Sequence, residues 1–266
     1  MPFAPINKAE LFFQITGSGP PVVLAPGLSG LGRFWDAQVP TLSRRFTVIT
    51  YDHRGSGRST RSPPPYSIET MTTDVVELLD HLGVGRVRFV GHSTGGAIGQ
   101  TLAATFPRHV ERLVLSATWT HADPYFRRLF SLRKDLLERG NADLYARLAT
   151  LLLHSPDWIA RYDADLDDEG VVPSAGDIAI VAAKIDALLD FDGRSRLQAI
   201  TCPTLVVAAR DDMTVPEHFA HALATKLPNA SLTIVDSGGH YFPVTRARQF
   251  SEAVEAFLAA DCITSP

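Results

Sequence analysis

Gly91-His92-Ser93-Thr94-Gly95 is where residue type and spacing first amount to chemistry in this chain. A β-rich run (Val87, Phe89, Val90) leads into Gly-x-Ser-x-Gly, and a helix-capable stretch, Ala97 to Phe106, follows. A strand, a sharp turn and a helix in that order hold a serine hydroxyl out at the strand end as a nucleophile. The turn crowds the flanking backbone, so glycine fits at 91 and 95 where a side chain would clash. The bland alternative is a glycine-rich turn that binds a phosphate or nothing.

A hydroxyl is a weak nucleophile at neutral pH, so Ser93 requires a base and a group to orient that base. After a run at Thr204 to Ala209 comes Arg210-Asp211-Asp212-Met213-Thr214-Val215-Pro216, and after Leu232 to Val235 comes Asp236-Ser237-Gly238-Gly239-His240. Both sites lie just past the end of a β-run, where open α/β sheets place their ligands. The order Ser…Asp…His accompanies this kind of turn. Of the nine histidines, only His240 is reached by a strand ending in a Gly-Gly loop. Asp212 is favoured as the acid, since Pro216 four residues on fits a turn that opens a helix. Asp211 then reads as a turn-capping carboxylate, and Asp123 remains a shifted alternative.

Acyl chemistry also needs two N–H groups aimed at a developing oxyanion. Thr94, which follows the serine, offers one. The loop Pro26-Gly27-Leu28-Ser29-Gly30-Leu31-Gly32, after a strand at Val22 to Ala25, offers Leu28 as the other.

The elements that must position these groups alternate between strand and helix, which implies a mostly parallel central sheet flanked by helices, an α/β fold. Leu11 to Thr16 and Val22 to Ala25 flank Gly17-Ser18-Gly19-Pro20-Pro21 and read as an opening antiparallel pair. Phe46 to Tyr51 reads as a strand buried on both faces, and Ser67 to Leu82 as a helix ended by Gly83. From His121 to about Asp192 only helical patterns appear: Tyr125 to Arg139, Leu144 to Leu153, Asp157 to Tyr162 and Ile178 to Leu189. The expected organisation is therefore a core of residues 1–120 and 193–266 with a helical cap, 121–192, inserted after the sixth strand. The core closes with a helix from Thr245 to Leu258. A cap would exclude water and shape the acyl pocket. Its candidate walls are Trp119, Phe126, Phe130, Leu152 and Trp158, with Phe34, Trp35 and Tyr241 from core loops. Trp119 and Tyr241 are preferred for their positions beside a strand end and the histidine. Arg127 and Arg128 are candidates for binding a substrate carboxylate, against the plainer reading of solvated surface arginines.

The 266 residues suffice for one large domain, and 45% hydrophobic with 20% charged content is ordinary for a soluble globular protein. A net charge of −4 argues against nucleic acid or an anionic membrane as the main partner. No apolar run approaches the roughly 20 residues of a membrane helix. MPFAPINKAE lacks the basic-then-apolar pattern of a secretion signal. Two cysteines, Cys202 and Cys262, are too few for a disulfide framework. The expectation is a cytoplasmic protein acting on a small molecule, with a homodimer left open. No metal-ligand spacing and no dinucleotide fingerprint appears, so neither metal nor cofactor is expected.

These residues carry a family resemblance. GHSTGG, Tyr51-Asp52-His53-Arg54-Gly55-Ser56-Gly57-Arg58-Ser59, DDMTVP and SGGH together resemble the α/β-hydrolase superfamily, end to end. The branch most similar contains 3-oxoadipate enol-lactonases and the aminoacrylate hydrolases of pyrimidine breakdown. LVLSATWTHADPYFRRLFSLRKDLLERG and SPDWIAR resemble the cap of that branch. The resemblance implies a structural role for YDHRGSGRS, so Asp52, His53 and Arg54 are not counted as catalytic. Many relatives carry His-Gly where this chain has Pro26-Gly27, which alters the pocket and not the triad.

The expected activity is serine hydrolysis of a carboxylic ester or lactone, of enol-lactone or acyl-homoserine-lactone type. Aminoacrylate or C–C bond hydrolysis on the same triad, a cofactor-free perhydrolase or haloperoxidase, and a non-catalytic small-molecule receptor stand as alternatives.

Overall fold

A computed structural model describes residues 2–166, 173, 174 and 176–260. Cys262 lies outside them. Eight strands form one sheet: β1 Phe3–Ile6, β2 Ala9–Thr16, β3 Pro21–Ala25, β4 Thr47–Tyr51, β5 Val87–His92, β6 Val110–Ser116, β7 Thr204–Ala209 and β8 Ala230–Val235. Their order is β1-β2-β4-β3-β5-β6-β7-β8. Only β1 and β2 run antiparallel to their neighbours. The helices are α1 Val39–Leu42, α2 Ile68–His81, α3 Thr94–Thr105, α4 Pro124–Glu138, α5 Ala142–Leu153, α6 Pro156–Leu166, α7 Ile178–Asp190, α8 His218–Lys226, α9 Phe242–Thr245 and α10 Ala247–Ala259.

The strand pleat sorts the core into two layers. Val23, Phe89, Leu113 and Leu115 face Val75, Leu78, Ile98, Leu102 and Leu223 of α2, α3 and α8. Val22, Leu24, Val90 and Val114 face the other way, onto Leu42, Phe250, Val254 and Leu258 of α1 and α10. Burial on both faces is why β3, β7 and the Leu113 to Leu115 stretch of β6 read as apolar runs.

Helix ends follow their capping residues. Ser67 accepts the Thr70 N–H at 3.0 Å to start α2, and Gly83 takes φ +67° beyond its end. Asp123 accepts the Phe126 N–H at 2.8 Å, and Pro124 fills the first position of α4.

Helices α4 to α7 lie between β6 and β7. An isolated antiparallel bridge between His121 and Asp192 closes the base of this excursion, and the Gly193 N–H donates to the Thr120 carbonyl at 2.7 Å.

Two expectations are corrected. β2 and β3 do not pair: β4 lies between them, antiparallel to β2 and parallel to β3. Val22, Val23 and Leu24 are fully buried and need neighbours on both sides, whereas β2 ends in exposed residues. β1 was not expected, because Pro5 interrupts its alternation. It survives at the sheet edge, where a missing N–H costs little. In addition, the last helix starts at Ala247, after the separate turn α9.

Among the described residues, no helix is long and apolar enough to cross a membrane. Cys202 is partly buried, and burial pushes its thiol pKa up.

Candidate active site

Ser93 occupies the turn between β5 and α3, with φ 53° and ψ −114°. A non-glycine residue held there is strained. Its neighbours enforce the conformation: the Ser93 N–H donates to Ser116 O at 2.8 Å, and Thr118 Oγ1 donates to Ser93 O at 2.8 Å. A Cβ at Gly91 would collide with the Gly95 carbonyl oxygen, and one at Gly95 with that of Ala25. The glycines thus let the turn fold onto itself and onto the end of β3.

The loop after β3 comes close to the same point. A Cβ at Gly27 would sit 3.4 Å from Ser93 Cβ, and Leu28 follows it in the wall of the cavity that holds Ser93. Thr94 is the first residue of α3, so its N–H has no intrahelical acceptor.

His240 Nδ1 lies 2.7 Å from Asp212 Oδ2, both side chains buried. The other carboxylate oxygen, Oδ1, accepts the Thr214 and Val215 N–H groups at 2.7 and 2.8 Å. Asp212 is thereby fixed within its own turn while it fixes the ring. Binding Nδ1 leaves Nε2 as the ring nitrogen available to a hydroxyl, and His240 and Ser93 line one cavity.

Asp211 does a different job. It accepts Gly238 and Gly239 N–H groups at 3.1 and 2.9 Å, bracing the histidine loop across from the acid turn. Asp123 is occupied otherwise, capping α4 and meeting His218 Nε2 at 2.9 Å.

Sequence reasoning passed over His92. It is buried, its ring stacks on Phe34 and stands 4.7 Å from His240, centroid to centroid. Nδ1 lies 3.0 Å from Ser116 Oγ. Burial first, and then the charge of His240, push its pKa well down, so it stays neutral beside the base.

The cavity measures about 580 Å³, within the range of small-molecule sites. Phe130, Phe34 and Tyr241 line it as expected positions, together with Leu28. Trp119 does not line it: fully buried, it packs on Phe126 at 4.6 Å and Phe191 at 6.3 Å, beneath α4. Trp158 does not either, because it faces Tyr162 at 4.4 Å on the half-exposed side of α6. Phe126, Leu152 and Trp35 are likewise outside the lining. Arg127 and Arg128 sit on the exposed face of α4. The arginine that α4 turns into the cavity is Arg133, one turn from Phe130. Its signal was present in the sequence: Phe126, Phe130, Arg133 and Leu137 form one buried stripe, and a charge within such a stripe calls for a partner.

Asp52, also in the lining, uses Oδ1 on the Gly32 N–H and Oδ2 on the Arg58 N–H, at 2.8 and 2.9 Å. Arg54 is paired with Asp74. His53 is buried, and burial followed by the charge of Lys184 pushes its pKa down to about 3. This segment supports the loop beside the site.

Among the described residues, no cluster of three or more histidine, cysteine, aspartate or glutamate side chains could hold a metal ion.

Comparison with known proteins gives the arrangement its family. A family model described as alpha/beta hydrolase fold matches residues 20–247. The chain is 38% identical over 259 residues to "Putative carbamate hydrolase RutD" of Azorhizobium caulinodans, covering 97% of this chain and 98% of that one. It is 40% identical over 246 residues to a protein of the same name from Caulobacter sp. strain K31, covering 90% and 91%. Among solved structures, the enol-lactonase from Burkholderia xenovorans LB400 superposes with a TM-score of 0.90 at 29% identity, over 97% of this chain and 100% of that one. With a parallel sheet, a strained serine turn and an Asp-His pair in this order, matched over most of its length, the chain belongs to the alpha/beta hydrolase family.

Proposed function

We propose that this protein hydrolyses a carboxylic ester or lactone through an acyl-enzyme formed on Ser93. The observation that carries this reading is the Asp212–His240 contact at 2.7 Å, opening onto the same cavity as Ser93. In the first step Ser93 Oγ bonds to the carbonyl carbon while His240 Nε2 takes its proton. Asp212 keeps the imidazole oriented and favours its charged form. The Leu28 and Thr94 N–H groups receive the oxyanion. Collapse breaks the acyl C–O bond, and His240 gives the proton to the leaving alkoxide. Water then attacks the acyl carbon, loses its proton to His240, and Ser93 leaves protonated with release of the acid. In a lactone the leaving alcohol stays tethered, so attack by water must outrun reclosure.

A carbamate carbonyl is open to the same attack, and the names borne by the curated relatives favour that as the second reading. The cavity of about 580 Å³ is larger than a simple carbamate requires, which favours a larger ester or lactone.

The test is a hydrolysis screen across lactone ring size, acyl length and carbamates, with Ser93→Ala as control. The variant should lose kcat by a factor on the order of 10⁶. Near-normal turnover by Ser93→Ala would refute the acyl-enzyme. Turnover confined to carbamates would select the second reading.

A further inference from the structure

Lys184 sits among the buried residues of α7 and is 3% exposed. It stands behind the cavity lining and is not part of it. Its Nζ lies 5.6 Å from the centroid of the Tyr66 ring, and among the described residues no carboxylate comes within ion-pair distance of it. The hydrogen-bond partner of that nitrogen is Ser56 Oγ, at 2.6 Å. A buried ammonium with so little compensation is destabilising, and an apolar side chain of similar length would suit the layer better. What the lysine adds is a donor.

That donor begins a run of hydrogen bonds that all point the same way. The Ser29 carbonyl can only accept, so Ser56 gives its single proton there, at 2.6 Å, and receives its other bond from the lysine. Ser29 O belongs to the peptide group whose N–H is that of Gly30, and this N–H donates to Gly27 O at 2.9 Å. Gly27 O in turn belongs to the peptide group whose N–H is that of Leu28. Leu28 and Ser29 are thus the middle residues of a tight turn closed by the Gly27–Gly30 bond. Ser56 packs directly against it: at φ +68° a Cβ on Gly30 would lie 2.5 Å from Ser56 Oγ. The His53 N–H, donating to Gly30 O at 2.8 Å, ties the turn to the same segment. An amide whose oxygen accepts a bond becomes a better donor through its nitrogen, so aligned bonds in a low-dielectric interior polarise one another.

We propose that Lys184 is a positioning residue for the oxyanion site, acting through Ser56 and the Gly27–Gly30 turn to hold and polarise the Leu28 N–H. This rests on the acyl-enzyme reading of Ser93, with Leu28 as an oxyanion donor. The run goes from Lys184 Nζ to Ser56, from Ser56 to Ser29 O, from Gly30 N–H to Gly27 O, and from Leu28 N–H to the charge that forms on the substrate. An oxyanion carries more charge than the ester carbonyl it comes from. A donor strengthened in this way therefore favours the transition state over the bound substrate, and the effect belongs in kcat rather than KM.

Kinetics on 4-nitrophenyl butyrate, alongside melting curves, test it. Lys184→Met fills similar space without a donor or a charge. It should lower kcat about tenfold, short of the ~10²–10³ that loss of a whole oxyanion donor costs. KM should change by less than about twofold, and the melting temperature should be no lower than that of the wild type. Ser56→Ala cuts the run at its next link and should show the same split, which also serves if Lys184→Met does not fold. In the double variant the two losses should not multiply, since both break one series of bonds. Phenylboronic acid, whose adduct with Ser93 places a charged oxygen where the oxyanion forms, should bind each variant more weakly by the same factor as its loss in kcat/KM. An unchanged kcat in both variants, a loss confined to KM, losses that multiply, or undiminished boronate binding would overturn the proposal. So would a kcat loss seen only together with a lowered melting temperature, which marks a general structural role. Ser93→Ala, assayed beside them, tests the reading underneath. If it is inactive while the Lys184 and Ser56 variants are unimpaired, the acyl-enzyme stands and only the relay falls. If it stays active, the acyl-enzyme falls and the relay with it.

Discussion

Ser93 shows how much of a site can reside in one backbone conformation. Its φ of 53° is held by the bond its N–H donates to Ser116 and the one its carbonyl accepts from Thr118. Such a conformation costs a non-glycine residue about 1–3 kcal/mol. Ser93→Gly should therefore be more stable than Ser93→Ala by about 1 kcal/mol in urea unfolding, whatever their activity. Equal stabilities would show that the turn stores no strain. The candidate serine, acid and histidine were legible in the sequence as positions, because each follows a β-run and lies near glycine or proline. The choice between Asp211 and Asp212 was less so. The sequence places both in one turn, and only the fold shows one bracing the histidine loop and the other the ring. Arg127 and Arg128 lie as their plainer reading has them, in solvent: helical phase sends position 133 inward and those two out.

At the scale of elements, the loops that carry Asp212 and His240 are tied to α4 and α5. The Tyr241 N–H donates to Leu153 O at 2.8 Å, and Thr214 Oγ1 donates to Leu152 O at 3.0 Å. Both carbonyls belong to the last turn of α5. The Tyr125 hydroxyl, in the first turn of α4, donates to Met213 O in the acid turn. Gly239 is where the packing is tightest. At φ +66° a Cβ would lie 2.7 Å from the Leu153 carbonyl oxygen, with the backbone of Ser155 at 2.8 Å. Gly239→Ala must push the histidine loop off α5, and a shift near 1 Å should lower kcat on the order of 10²-fold. Steady-state kinetics, with a melting curve to confirm folding, would show this. An unchanged kcat would mean the imidazole holds its place without the loop's contact. Element types were largely readable from periodicity, since buried strands and capped helices carry local signals. Pairing was not. Whether β3 meets β2 or β4 depends on burial across the whole sheet, and a glycine-rich turn between β2 and β3 is equally compatible with either.

At the scale of the molecule, Lys184 joins the α7 layer to the core. It is 3% exposed. Its Nζ donates to Ser56 Oγ at 2.6 Å, and that hydroxyl donates to Ser29 O at 2.6 Å, in the loop beside the proposed oxyanion site. Burial, followed by the charge of Arg61, pushes its pKa from 10.5 down to about 7. The folded state therefore binds the lysine proton less tightly than the unfolded chain. Below about pH 7 both states hold the proton and the cost of burying charge is fully present. As pH rises from there toward 10.5 the folded lysine sheds its proton first, and that cost declines. Relative to Lys184→Met, the wild-type protein should gain stability between pH 7 and 10 in denaturant titrations. Parallel pH curves for the two would show that the lysine is not held in a charge-excluding site.

The bonds from the roof to the acid and imidazole loops also bear on traffic. A ligand entering by lifting α4 and α5 would first have to pull on the groups that keep the ring aligned. Gln14, Arg58 and Arg61, also in the lining, stand in solvent, and a ligand that passed beside them would leave those bonds intact between turnovers.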